Sequence, residues 1–260
     1  GVCGMNMGQT AELIAREAGV TREDQDRFAV KSHEKAVKAM ESGRFKKEIL
    51  PVAVAPRYTD FIADDIGPRK GQSLEALAKL KPYFDRRNGT VTVGNACPIT
   101  DGACLLILMS ATKAKALGYK PLGKIRSATF AALEPERMGL GPVYSTPKAL
   151  DQAGLTMKDI GLVELNEAFS AQVLACLRAF DSKKFAQEKL GRSEAVGAIS
   201  EEILNVNGGA VALGHPVGAT GSRLILTLLK EMQERSNVQF GVATLCIGGG
   251  QGGTVVVEKV

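Results

Sequence analysis

Apolar residues recur at two different spacings along this chain. In the first 45 residues the spacing is helical. Leu13, Ile14 and Ala18 share one face from Thr10 until Gly19 stops it, and Phe28, Ala29, Ala36 and Met40 line a second face that ends at Gly43. Thr21, with Asp24 three residues on, is a variant of the capping box and starts this second helix. His33 lies among Lys31, Ser32, Glu34 and Lys35 and reads as a residue of the helix surface. Residues 49–60 alternate loosely and contain Pro51 and Pro56, as an extended edge segment does. Residues 64–87 are polar and basic around a short helix at Leu74 to Leu80. Arg69, Lys70, Lys79, Lys81, Arg86 and Arg87 suit either a solvated excursion or the phosphates of a nucleotide-bearing substrate. Thr90 to Val93 is predicted to be a strand, and Asp101 to cap an apolar helix from Gly102 to Leu117 with Cys104 on its buried face.

After Gly118 strands and helices alternate, which predicts an α/β architecture. Ile125 to Phe130 is a strand, Met138 to Tyr144 a loop rich in Gly and Pro, and Pro147 to Ala153 a helix. Strand Ile160 to Leu165 ends in Asn166-Glu167-Ala168-Phe169, and helix Ala168 to Phe180 follows. Polar residues at the carboxyl end of a strand are where open α/β sheets bind ligands. Residues 181–203 are charged and read as an inserted surface helix with its loop. Helix Ser222 to Met232, strand Phe240 to Cys246, a glycine-rich turn and strand Thr254 to Glu258 complete the pattern.

Composition narrows the function classes. With 260 residues and 45% hydrophobic content, the chain can bury a large core as one large or two smaller domains. The net charge of +5 comes from 33 basic residues dispersed among 28 acidic ones, so there is no basic stripe and no nucleic-acid partner is expected. Cys3, Cys97, Cys104, Cys176 and Cys246 are far apart with no CxxC spacing, which points to reduced thiols and a cytoplasmic location. No apolar run reaches membrane-spanning length, so no transmembrane segment is expected, and no metal motif is present. The chain opens with Gly rather than Met and reads as a piece of a longer one; a tag scar or a processed terminus gives the same start.

Asn205 to Gly221 stands out chemically. It holds His215 together with Gly208, Gly209, Gly214, Gly218 and Gly221, as expected where turns need φ > 0 or a ligand lies against bare backbone; a buried, hydrogen-bonded histidine in an irregular connection is the alternative. GGGQGG satisfies GxGxxG at Gly248, Gly250 and Gly253 but precedes a strand rather than a helix, so it is not a dinucleotide fingerprint. GYKPLGK lacks the Ser or Thr of a phosphate loop, and GxSxG and HExxH are absent. Cys246, before bare backbone amides, is either a buried strand thiol or an acid/base. An imidazole, a thiol and the carboxamide of Asn166 together suit acyl transfer.

Asn166 to Phe169 (NEAF), Asn205 to Gly221 (NVNGGAVALGHPVGATG) and Cys246 to Gly253 (CIGGGQGG), in this order, resemble the thiolase family of acyl-CoA acyltransferases. MNMGQTAE at residues 5–12 and GNACPITDGA at 94–103 match two further family motifs, so the resemblance covers nearly the whole chain. It implies a thiolase-like α/β fold, a mixed sheet flanked by helices and truncated at the N-terminus. The expected parts are the loop domain over 1–93, a remnant of the N-terminal domain over 94–120 and the C-terminal domain over 121–260. The insertion after Asp181 looks most like thiolases of trifunctional β-oxidation complexes acting on longer 3-oxoacyl-CoAs.

By the same resemblance His215 accepts the proton of a nucleophilic cysteine, Asn166 holds a water of the first oxyanion hole, Cys246 is the second acid/base and the Gly248 amide serves the second oxyanion hole. Cys97 stands where the family commonly has Ser against pantetheine, with Pro98 in place of Gly. Asn6 stands where short-chain members often carry a His near the substrate. The family's nucleophile precedes the MGQTAE helix, so this chain alone is expected to be inactive. Acyl-CoA and CoA are the implied substrates, with no permanently bound cofactor. A homo-oligomer of the full-length protein is expected, with a hydratase/dehydrogenase subunit as a candidate companion. The rival reading is a non-catalytic acyl-CoA or lipid-binding module of the same fold.

Overall fold

The computed structural model describes residues 2–260. Its first helix, α1 (Met7–Ala18), begins three residues before the predicted start because Asn6 caps it: Asn6 Oδ1 accepts from Gln9 N and Gln9 Oε1 accepts from Asn6 N, each at 3.0 Å. Gly19 ends it in the left-handed conformation, φ 67°. The Thr21–Asp24 box starts α2 (Arg22–Glu41) as predicted.

His33 is a correction. It is buried, because the backbone N–H of Arg69 donates to its Nδ1 at 3.1 Å and residues around Arg69 cover that face of α2. Beyond α2, β1 (Val52–Ala53) and β2 (Phe61–Ile62) form a short antiparallel pair, and α3 (Leu74–Ala78) buries Leu77 against Ala29 and Val211.

Residues 90–117 differ most from expectation. Thr90 to Val93 form no strand, because the buried carboxylate of Glu12 accepts the amides of Thr90 and Val91 at 2.9–3.0 Å. The apolar run after Asp101 is not helical. Ser110, not Asp101, supplies the cap, its Oγ accepting from Lys113 N, and α4 spans only Ala111–Ala116. Upstream of that cap the run has no surface to bury on, leaving Leu105 80% and Ile107 76% exposed and Cys104 half-buried outside any helix.

The remainder builds the sheet. β3 (Gly123–Ala132), β4 (Ile160–Leu165), β5 (Phe240–Ile247) and β6 (Gln251–Lys259) lie in the order β3-β6-β5-β4. The β3–β6 and β6–β5 pairs are antiparallel and β5–β4 is parallel, so the sheet is mixed, as expected. α5 (Gly141–Ala153) starts six residues earlier than the predicted Pro147. Pro142 occupies its first turn, and Gly141 packs directly on the backbone of Gln251 and Gly252 of β6, where a Cβ on either glycine would clash.

α5 and α6 (Ser170–Phe180) cover one sheet face through Val143, Leu150, Val173 and Phe180, packed on Leu165, Val242 and Val256. α9 (Thr220–Glu234) covers the other with Leu224, Leu228 and Met232 against Leu162 and Val257. Each such side chain contributes roughly 1.5–3 kcal/mol when removed from water. α7 (Lys183–Leu190) is the predicted inserted surface helix, and a single turn, α8 (Ala210–Leu213), interrupts the glycine-rich loop. Among the described residues no helix is long and apolar enough to cross a membrane.

Candidate active site

The site lies where the parallel strands β4 and β5 end together. The amide of Asn166, one residue past β4, donates to Thr244 O of β5 at 3.0 Å, and Cys246 is two residues beyond Thr244 on β5. Asn166 is fully buried, with its Nδ2 3.4 Å from Nε2 of His215. On the other side of the ring, Nδ1 lies 2.7 Å from Thr220 Oγ1, and Thr220 Oγ1 donates to Pro216 O at 3.0 Å.

These contacts favour one tautomer. With the Thr220 hydroxyl proton spent on Pro216 O, its oxygen accepts from Nδ1–H, which leaves Nε2 as the unprotonated nitrogen beside the Asn166 carboxamide. Burial, and then the nearby Arg223 charge, hold the His215 pKa below the ordinary histidine value. The ring is therefore a neutral base at physiological pH.

The histidine loop is anchored by Glu167. This fully buried carboxylate accepts from Ser32 Oγ (2.6 Å), Asn205 Nδ2 (2.8 Å) and the backbone N–H of Val211 (3.1 Å). Asn205 also pairs with both the amide and the carbonyl of Leu165 at 2.8 Å, extending the β4 edge. A Cβ on Gly209 would land on the Glu167 carboxyl group, and Gly208 (φ 78°) presses on the Ser32 carbonyl. Gly208 and Gly209 therefore serve close packing of the loop on Glu167 and α2, a more local reason than ligand approach.

Cys246 is buried among Ala11, Ala15, Ala168 and Phe169, and burial pushes its thiol up to about 12. Cys97 is half-buried; its amide donates to Ala168 O at 3.1 Å, and burial raises its pKa to about 11. Each of these groups is thus a neutral thiol. No hydrogen bond joins His215 to Cys246 among the described residues, so the two approach the strand ends separately. Gly248 is exposed, and a Cβ on it would come 3.6 Å from Met7 Sδ, which places it beside Asn6 at the start of α1. The carboxamide oxygen of Asn6 is itself committed to the helix cap.

Residues 119–259 match the thiolase C-terminal domain and residues 2–112 match the thiolase N-terminal domain. The chain belongs to the thiolase family. It is 48% identical over 257 residues to a 3-ketoacyl-CoA thiolase of Pseudoalteromonas translucida, and 47% identical over 256 residues to one of Serratia proteamaculans. Each alignment covers 98% of this chain and 58% of the relative. Among solved structures it resembles the acetyl-CoA acetyltransferase of Bacillus anthracis, with a TM-score of 0.88, 38% identity, and coverage of 98% of this chain and 60% of that one. It also resembles the acetyl-CoA acetyltransferase of Syntrophomonas wolfei, with a TM-score of 0.85, 37% identity, and coverage of 100% and 62%.

Segments of both thiolase domains are therefore present, and the matches lend no support to the expectation of a chain inactive by itself. The structure places His215, Asn166 and Cys246, singled out in the sequence, around the ends of β4 and β5, whereas the contacts of Thr220 with His215 and of Ser32 with Glu167 were not anticipated. Thr220 carried a signal: it is the hydroxyl nearest in sequence to a histidine set in a turn.

Proposed function

We propose that the protein carrying this chain is a thiolase that cleaves 3-oxoacyl-CoA with CoA, giving acetyl-CoA and an acyl-CoA two carbons shorter, or runs the reverse condensation. The observation that carries this reading is the neutral imidazole of His215, its bare Nε2 held beside buried Asn166 at the strand ends that also carry the Cys246 thiol. The Nε2 lone pair takes the proton of an attacking thiol. The resulting thiolate adds to the 3-oxo carbon, and His215 and Asn166 stabilise the oxyanion.

When the C2–C3 bond breaks, its electron pair forms the acetyl-CoA enolate and Cys246 protonates C2. The Cys246 thiolate left behind is a strong base, since burial holds the thiol's pKa near 12, and it removes the proton of the incoming CoA. The CoA thiolate then displaces the acyl group from the nucleophile, which regains its proton from His215. The Gly248 amide serves the oxyanion of this second half, with Asn6 and Cys97 toward the CoA arm.

The reading divides the chain into a loop domain over 1–93, an N-terminal-domain segment over 94–120 and the C-terminal domain over 121–260. The α7 insertion favours longer acyl chains and a hydratase/dehydrogenase companion, the free, scattered cysteines favour a cytoplasmic enzyme, and the family resemblance favours a homo-oligomer.

Thiolysis of a 3-oxoacyl-CoA by the complete gene product, followed as acetyl-CoA formation, tests the reading. Cys246→Ala is expected to lower kcat by about 10²–10⁴. Full activity in that variant overturns the assignment. The same assay on the 260-residue chain locates the attacking thiol. Turnover assigns it to one of the cysteines here, and none places it upstream.

A further inference from the structure

Arg27, Lys31 and Lys35 are spaced four apart, so α2 sets three cations along one of its faces. That face borders a cavity of about 250 Å³, closed by α2, α6 and residues 199–205. Its walls include none of His215, Asn166 or Cys246. The inner end is formed by Ser32, Glu167 and Asn205, the group that fastens the His215 loop.

The cavity has an apolar floor and a charged rim. Phe28, Leu174, Leu177 and Ile199, each half-buried, and buried Leu204 line the floor and continue into the core beneath α6. On the rim, Arg178 of α6 joins the three cations of α2. Most of this charge is already matched. Arg178 Nη2 donates to Asp24 at 3.1 Å, Lys31 Nζ to Glu201 at 2.7 Å, and Arg27 pairs with Glu23. Glu167 is saturated by Ser32, Asn205 and the Val211 amide, so its carboxyl is not free to take a rim cation.

Lys35 is the exception. Its Nζ donates to two backbone carbonyls, Leu204 O at 2.9 Å and Glu201 O at 3.2 Å, and among the described residues no carboxylate lies at ion-pair distance from it. An ammonium has three donors, so one is left over. The two carbonyls aim a half-buried cation without a contacting counter-ion at the edge of an apolar cavity. A pocket of mostly apolar walls with one fixed polar group is the usual form of a small-molecule site, and this one is just under the roughly 300–1,000 Å³ such sites occupy. Its occupant is therefore small, apolar along its body and singly negative at one end.

We propose that this cavity binds an aliphatic monocarboxylate, its chain on Phe28, Leu174, Leu177 and Ile199 and its carboxylate on Lys35. The inference does not rest on the thiolysis reading, and its test needs no turnover. The probe is octanoate, titrated into the complete gene product labelled at its Leu, Ile and Val methyl groups. The methyl signals of Leu174, Leu177 and Ile199 are expected to shift saturably at millimolar octanoate, the affinity ordinary for so small a ligand. Acetate, which has the head without the chain, and octylammonium, which has the chain with the opposite charge, are expected to leave them in place.

Equal shifts with octylammonium overturn the proposal, because apolar contact alone would then account for binding. Octanoate shifts confined to methyls outside the cavity overturn it as well. Lys35→Met, which keeps the stem and removes the charge, is expected to weaken octanoate binding about tenfold, as loss of a hydrogen bond to a charged group does. Lys35→Arg is expected to keep most of the affinity. Unchanged affinity in folded Lys35→Met refutes the role of the cation. If that variant does not fold, the three ligands on the wild-type protein still decide the question.

Discussion

The two histidines of this chain occupy similar electrostatic settings and do opposite things. Burial first, and a neighbouring arginine second, lowers the pKa of both: Arg69 beside His33 and Arg223 beside His215. The nitrogens distinguish them. His33 Nδ1 accepts the backbone N–H of Arg69, so the neutral ring is a latch that fastens residues near Arg69 to α2. His215 Nδ1 faces a hydroxyl whose proton is already spent, so the lone pair is on Nε2, beside the buried Asn166 carboxamide. A depressed pKa alone does not mark a base; what each ring nitrogen meets does.

The largest break in this comparison is expected from exchanging each ring for glutamine. His215→Gln should lower kcat of the complete enzyme by about 10²–10⁴ with little change in unfolding midpoint, as a lost proton acceptor does. His33→Gln should leave kcat nearly intact and lower stability. Steady-state kinetics and urea denaturation on both variants separate the roles, and a large kcat loss in His33→Gln would erase the distinction.

Next in size is the anchor that makes the His215 loop rigid enough to hold a tautomer. Glu167→Ala leaves Ser32, Asn205 and the Val211 amide without their acceptor, at a cost of about 3–5 kcal/mol in denaturation. Gly209→Ala drives a Cβ into the same carboxyl group and should destabilise in the same direction. Equal stability of both variants with wild type would show the loop held by something else.

A third prediction uses pH. The folded pKa of His33 is lowered to about 4, below the 6.5 of the unfolded chain, so its contribution to stability is fully present above pH 6.5 and is lost as pH falls from there toward 4. The loss is on the order of 2–3 kcal/mol. His33→Gln should flatten that part of the stability curve, measured by denaturation at half-unit steps. The same lowering at His215 places the acid limb of kcat/KM below the ordinary histidine value, so activity persists where a free imidazole is already protonated.

Which of these features the sequence could show follows from the distance to each partner. The Thr21–Asp24 box and the Ile160–Leu165 strand were legible because their determinants are local: a cap and its third residue, and an apolar run bounded by polar residues. His215, Asn166 and Cys246 stand out in the sequence through motif order and residue chemistry, and the fold brings them to the ends of β4 and β5. His33 was misplaced because its partner amide is 36 residues away. Thr90 to Val93 was read as a strand because Glu12, which takes its amides, is 78 residues upstream.

The smallest expected effect separates glycines that the loop requires from one that it tolerates. Gly208 and Gly209 are confined by α2 and Glu167, whereas Gly221, in the first turn of α9, would place a Cβ with no heavy atom within 4 Å. Its φ is outside the left-handed region, so alanine fits the backbone already present. Gly221→Ala should stabilise the 260-residue chain by about 0.5–1 kcal/mol through the unfolded state and helix propensity. Thermal denaturation with an NMR titration of His215 run alongside checks this: a higher Tm with an unmoved midpoint confirms that Gly221 is not part of the histidine's support. A lower Tm would show that the turn between Pro216 and Gly221 needs its glycine.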